Sequence, residues 1–164
     1  MNGTKIILCA LHHGERDLAE ELTAAAQRHR TEHEVYHVGT DLAAWSMQHT
    51  QLLNETAADY GLNLASPPDA ASSDGMLATL RPRASEMVGH LPEPGLLLLR
   101  DLRQLHLAAA ENSLHWEMLA QAAQATKDDR LLGLSSTCHP QTLRQMRWTN
   151  TLIKTLSPQI LTSL

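Results

Sequence analysis

Two residues interrupt otherwise apolar rows. Glu15 stands between Leu11 and Leu18, and His49 between Trp45 and Leu52, at the three- and four-residue spacing of one helix face. A carboxylate and an imidazole set among hydrophobes have two chemical uses: they ligate a transition metal, or they join a buried hydrogen-bonded network. Counted outward from the break near residue 31, the two lie at similar distances along their helices, so they should meet. A further carboxylate, Glu111, falls at the same level counted from the break near Asp128, with His115 one turn on. Leu and Ala surround that segment, and the choice between Glu111 and Asn112 as the inward residue stays open. On the last segment the level spans Thr142 to Trp148, where Gln145 is the polar candidate.

The elements that must position these residues are helical. The 164 residues suffice for one domain, and the apolar content is 29 Leu and 21 Ala against 7 Val plus Ile, with no Phe. Sheets draw on β-branched and aromatic side chains to cover a pleated surface, so this composition selects an all-α fold. A net charge of -5 repels a phosphate backbone and argues against nucleic acid and anionic membranes as partners. Cys9 and Cys138 are too few for a disulfide framework. The run Ile6 to Leu11 is too short for a signal peptide or a membrane span, so a cytoplasmic protein is expected.

Periodicity and punctuation divide residues 1–164 into one four-helix domain. The first helix covers about residues 4–29 and the second about 32–60, started by Thr31 and Glu34 at capping-box spacing and stopped by Gly61. Residues 61–94 form a Pro- and Ser-rich crossover, with one short helix near Met76 to His90 broken by Pro82. The third helix spans about 95–127. The fourth, capped by Asp128, spans about 129–156; Gly133, Thr137 and Pro140 predict that it is kinked or restarted, with Cys138 at a helix start, and Pro158 marks its end. Tight links make neighbours antiparallel, whereas one long connection makes the second and third helices parallel.

With these helices and their polar positions, the chain resembles the ferritin-like superfamily, especially the small bacterial ferritin-like proteins associated with stress responses. The resemblance is carried by Leu11 to Leu22, Glu34 to His49 and Ala110 to Ala123. It implies an antiparallel four-helix bundle with a Glu on the first helix, Glu-x-x-His on the second, a Glu on the third and Glu-x-x-His on the fourth, enclosing two iron or manganese ions. Carried over, Glu15 matches the first Glu and His49 the histidine of the second helix, where Ser46 replaces the Glu. Glu111 matches the third-helix carboxylate, and Thr142 and Gln145 replace the fourth-helix pair. Hydroxyls and an amide do not balance the charge of two divalent ions.

The expectation is therefore a degenerate di-metal site: a buried Glu/His cluster in a non-enzymatic, stress-related bundle that binds a partner or forms a homodimer through the first two helices. The alternative is a metal-dependent oxidoreductase-type protein in which Glu15, His49 and Glu111 hold one Fe, Mn or Zn ion, supported by Ser46, His115, Thr142 and Gln145. A third reading places a small molecule against Trp45, Met118 and Trp148.

Other residues have plainer expected roles. Of the ten histidines, His29, His33 and His37 gather at the first helix junction and are expected to be solvated or capping. Met47, Met118 and Met146 are expected to fill core gaps, and Trp45, Trp116 and Trp148 to anchor packing.

Overall fold

The computed structural model describes residues 2–65 and 93–164. Among them are four helices and no strand: α1 (Asn2–Arg28), α2 (His33–Asp59), α3 (Pro94–Thr126) and α4 (Asp129–Thr162). At the helical rise these are about 40 Å and about 50 Å long for the first and second pairs. None is long and apolar enough to cross a membrane. The expected short helix near Met76 to His90 lies outside the described residues.

Each helix packs on two others: α1 on α2 and α3, and α4 on α3 and α2. Side-chain contacts tie Arg28 to Asp101 and Glu15 to Trp116, so numbers rise along α1 as they fall along α3. Contacts of Asp59 with Arg130 and of Ser46 with Gln145 give the same opposed order for α2 and α4.

The helix ends follow local chemistry. Gly61, at φ +69, closes α2 with the Leu62 N–H on the Ala57 carbonyl and the Gly61 N–H on Ala58, a Schellman motif. The α3 end repeats this pattern with Lys127 at φ 55, a left-handed conformation that disfavours a side chain. Asp128 then caps α4 by accepting the Leu131 N–H, and the Tyr60 hydroxyl donates to the same carboxylate. Those bonds hold the Asp128 carboxyl below its usual range, and burial together with Asp128 pushes Tyr60 up to about 12.

Three local expectations are corrected. Glu32 is the N-cap of α2 and no side chain caps it; Glu34 instead accepts the Trp148 indole N–H, so the Thr31/Glu34 capping box does not form. The fourth helix is unbroken: it runs through Pro140 and past Pro158 to Thr162, and Thr137 gives its hydroxyl to the Gly133 carbonyl within the helix. Burial of Leu131, Leu134, Cys138 and Leu152 along one face carries it through the proline that lacks a backbone donor. Cys138 consequently lies inside the helix, not at a start.

Apolar clusters fill the interior on either side of a central level. Leu8, Leu11, Leu53, Trp116, Leu119 and Leu134 form one cluster; Leu18, Leu22, Leu42, Leu105 and Ala109 form the next. Val35, Leu98, Leu102 and Leu152 complete the row toward the start of α3. Each fully buried Leu contributes roughly 1.5–3 kcal/mol of transfer free energy. Trp116 is fully buried, as expected of an anchor, while Trp45 and Trp148 are partly buried. Met47 and Met118 are exposed, and only Met146 packs against the core; the outward turns of α2 and α3 carry the other two away from it.

Candidate functional site

Between the first two apolar clusters, every helix contributes buried polar side chains. These are Glu15 on α1, Ser46 and His49 on α2, Asn112 on α3, and Thr142 and Gln145 on α4, all 2% exposed or less. The layer is built by the same heptad-like rows that build the core. On α4 the inward positions run Leu131, Leu134, Cys138, Thr142, Gln145, Thr149, Leu152, and the residues at the central level happen to be polar.

The centre is a unit of three residues. The Trp116 indole N–H donates to Glu15 Oε1 at 2.8 Å, and the Trp116 ring meets His49 edge to face at 5.9 Å. His49 Nδ1 lies 3.2 Å from Glu15 Oε1, near enough for an ion pair but not aligned for a hydrogen bond. Its Nε2 faces the Gln141 carbonyl oxygen at 2.7 Å; that oxygen only accepts, so Nε2 carries a hydrogen. The expectation that Glu15 and His49 meet inside the bundle therefore matches the geometry.

Gln145 ties α4 to α2, donating to the Leu42 carbonyl at 3.0 Å and to Ser46 Oγ at 2.9 Å. Thr142 turns its hydroxyl to the Cys138 carbonyl at 3.4 Å. Several buried atoms have no hydrogen-bond partner: Glu15 Oε2, Gln145 Oε1, Asn112 Nδ2 and Ser135 Oγ. Leaving such a group unpaired costs about 1–3 kcal/mol. The Cys138 thiol sits next to the layer, where burial and the charge of Glu15 push it up to about 12; it is a protonated core thiol.

Glu111 is not part of the layer. It lies on the exposed side of α3, and Asn112 is the inward residue. The row Leu98, Leu102, Leu105, Ala109, Asn112, Trp116, Leu119, Ala123 steps by four and three without a break, and that regularity is the signal that selects Asn112. Asn112 also packs on Gly14: a Cβ there would stand 2.2 Å from Asn112 Oδ1, so α1 carries no side chain at this contact. His115 is partly buried to one side with Nδ1 unpartnered; burial lowers its pKa, and Glu111 works against that shift. The residues that sequence reasoning missed are Asn112, which it left as an alternative, and Gln141, whose exposed-looking position gave no cue.

At the other junction, His29 is buried and its Nε2 lies 2.8 Å from Asp101 Oδ2, with Arg28 and Arg100 on the same carboxylate. Burial raises the Asp101 pKa, but the hydrogen bonds from His29, Arg100 and Arg28 outweigh it and hold the carboxyl below its ordinary value. His33 and His37 are exposed and their rings stack at 6.3 Å, one turn apart on α2.

The donor set can be tested against the two metal ions that the ferritin-like resemblance implies. Glu15 is the one carboxylate in the layer and His49 the one imidazole; Ser46, Asn112, Thr142 and Gln145 are neutral. One of the Glu15 oxygens is held by Trp116, and one of the His49 nitrogens by Gln141. A single negative charge cannot balance two divalent ions, so these residues do not fit that group. Among the described residues, no three of the His, Cys, Asp and Glu side chains come together as a metal-binding group.

No protein-family model, curated protein or solved structure matches the chain.

Proposed function

We propose that the chain is a ferritin-like antiparallel four-helix bundle, bent at Pro140, whose central level is non-enzymatic: a buried hydrogen-bonded layer takes the place of a di-metal site. The observation that carries this reading is that, among the described residues, Glu15 is the only carboxylate at the central level, with Glu111 turned outward. The bundle then acts through association, with itself or with a partner protein, and a stress-related role rests on the resemblance alone. An open groove of about 540 Å³ between α1 and α2 supports self-association, lined by Ala19, Thr23, Ala24, Met47 and Thr50. Arg16 and Glu20 lie along the same groove one turn apart, so two copies related by a two-fold axis can pair Arg16 of each with Glu20 of the other.

Elemental analysis of untagged protein tests the layer, and sedimentation tests the association. The expected result is metal far below one ion per chain, together with a dimer that Met47→Glu and Ala24→Arg dissociate. Near-stoichiometric iron, manganese or zinc that is lost in Glu15→Gln overturns the first half; a monomer at all concentrations overturns the homodimer.

One observation favours a second reading. His49 Nδ1 and Glu15 Oε2 both lack hydrogen-bond partners, and Nδ1 lies 3.2 Å from Oε1. Neighbouring ligands with bonds of about 2.1 Å at a right angle stand about 3 Å apart. Glu15, His49 and the unpartnered Gln145 Oε1 would then hold one Fe, Mn or Zn ion in a metal-dependent, oxidoreductase-type protein. Glu111 takes no part in such a site, and the same elemental analysis separates the two readings.

A further inference from the structure

A second polar cluster lies away from the buried layer, in the seam between α3 and α4. Ser113 Oγ stands 2.8 Å from His139 Nε2, and His139 Nδ1 stands 3.8 Å from Glu117 Oε2. Ser113 and Glu117 are one turn apart on α3, and His139 reaches both from α4. The order hydroxyl, imidazole, carboxylate is that of an activated nucleophile: a base beside the attacking oxygen, itself oriented by an acid. Gln121 donates its amide to the other Glu117 oxygen at 2.9 Å, which steadies the carboxylate. In the tautomer that carries its proton on Nδ1, His139 presents the Nε2 lone pair to Ser113, and Glu117 at 3.8 Å favours that tautomer through its charge rather than through a hydrogen bond.

The pair is reachable from solvent, and two exposed apolar side chains lie beside it in the sequence. Ser113 is partly exposed, and the His139 side chain is 18% exposed. Leu143, 44% exposed, lies one turn beyond His139 on the same flank of α4. Leu114, 61% exposed, follows Ser113 on α3. Both helices consume their backbone N–H groups internally, so the seam supplies few donors for a developing oxyanion. A nucleophile so placed reacts with esters whose leaving group departs easily.

We propose that Ser113 is a His139-activated nucleophile that takes the acyl group of small activated carboxylic esters. The Ser113 oxygen adds to the ester carbonyl while its proton passes to His139 Nε2. The tetrahedral adduct collapses, the bond to the leaving alkoxide or phenolate breaks, and that oxygen receives the proton. Water, deprotonated by the same nitrogen, then cleaves the acyl-serine and restores the hydroxyl. Glu117 is a positioning residue that fixes the imidazole orientation.

The test uses the full chain and p-nitrophenyl acetate. The expected result is a burst of p-nitrophenol approaching one equivalent per chain, followed by slow turnover, with the acetyl group mapped to Ser113 by peptide mass spectrometry. Ser113→Ala abolishes the burst. His139→Gln slows acylation about 100-fold or more, the usual contribution of a general base. Glu117→Gln lowers the acylation rate without changing burst size. Hydrolysis unchanged in Ser113→Ala shows that surface histidines do the work and overturns the proposal. So does acetylation of exposed Ser136, whose hydroxyl donates to the Leu132 carbonyl, to the same extent as Ser113. Unchanged melting temperatures for the three variants separate loss of chemistry from loss of fold, and if His139→Gln does not fold, preferential labelling of wild-type Ser113 by a fluorophosphonate decides the matter.

Discussion

The indole of Trp116 donates to the carboxylate of Glu15 at 2.8 Å, joining the middle of α1 to the C-terminal half of α3 at a level where both side chains are fully buried. The contact makes the acid tolerable inside an apolar bundle, and it orients Oε1 toward His49. Much of the bundle's energetic character follows from this pair and its neighbours.

Because Glu15 and His49 are buried together, losing one should cost more than losing both. Removing one member of a buried charge pair typically costs about 3–5 kcal/mol, whereas replacing both by apolar residues of similar volume is often neutral or stabilising. His49→Leu should therefore destabilise strongly, as should Glu15→Met, and the double variant carrying both should recover most or all of the loss. Urea unfolding of the wild type, both single variants and the double variant measures the coupling; additive losses would contradict the pairing.

Gly14 makes a sign-reversing prediction. Gly14→Ala places a methyl group 2.2 Å from Asn112 Oδ1, and the crowded amide has to move from a fully enclosed position, at an expected cost of about 1–3 kcal/mol. In an Asn112→Ala background the clash disappears, and the same substitution should stabilise by up to about 1 kcal/mol through helix propensity. Thermal melts of the four proteins check it; the same sign in both backgrounds rules out the contact.

Lys127 holds a left-handed conformation where α3 gives way to α4. Lys127→Gly removes the steric penalty of about 1 kcal/mol and should raise the melting temperature, since the side chain is exposed. Lys127→Ala, which keeps the Cβ, should not. Differential scanning calorimetry of both variants distinguishes the cap geometry from a charge effect.

The pH dependence has two windows. Asp101 has its folded-state pKa held below the ordinary 3.8, so the unfolded chain binds its proton first as the solution is acidified. Its contribution is complete above about pH 3.8 and is lost as the pH falls through the lower folded value. His12 and His115 are also lowered in the folded chain, from 6.5, by burial first and, for His12, by Arg16 and His13; their contribution is complete above 6.5 and declines below it. Stability should fall on acidification from pH 7, then fall again below pH 4. Asp101→Asn should flatten the lower step, and His115→Phe the upper one. Chemical denaturation across this range, with no change of slope in either variant, would refute the assignment.

The extent to which the sequence announced this architecture depends on the residue. The row through Leu8, Leu11, Leu18 and Leu22 on α1 is visible as spacing and is buried as spacing requires, whereas on α2 the row Leu42, Trp45, His49, Leu52 is fully buried only at Leu42 and His49, Trp45 and Leu52 being partly buried while Ser46 and Leu53 take the inward positions. Asp128 and Gly61 were legible because a cap and a left-handed turn each demand a particular residue chemistry. Glu111 misled because Leu and Ala on nearly every side of α3 flatten the contrast between its faces, so that the acid drew attention away from Asn112, which lies in the unbroken inward row.

The sequence by itself determined the helical composition, the places where helices stop, and the identity of the two polar residues that break the apolar rows, because each depends on neighbours within a few positions. Tertiary structure alone decided that Trp116 rather than a second carboxylate faces Glu15, that Gln141 holds the far side of His49, and that Ser113, Glu117 and His139 share one seam. Those relationships depend on the rotation and register of helices whose contacting residues lie up to 114 positions apart, and no local periodicity encodes that distance.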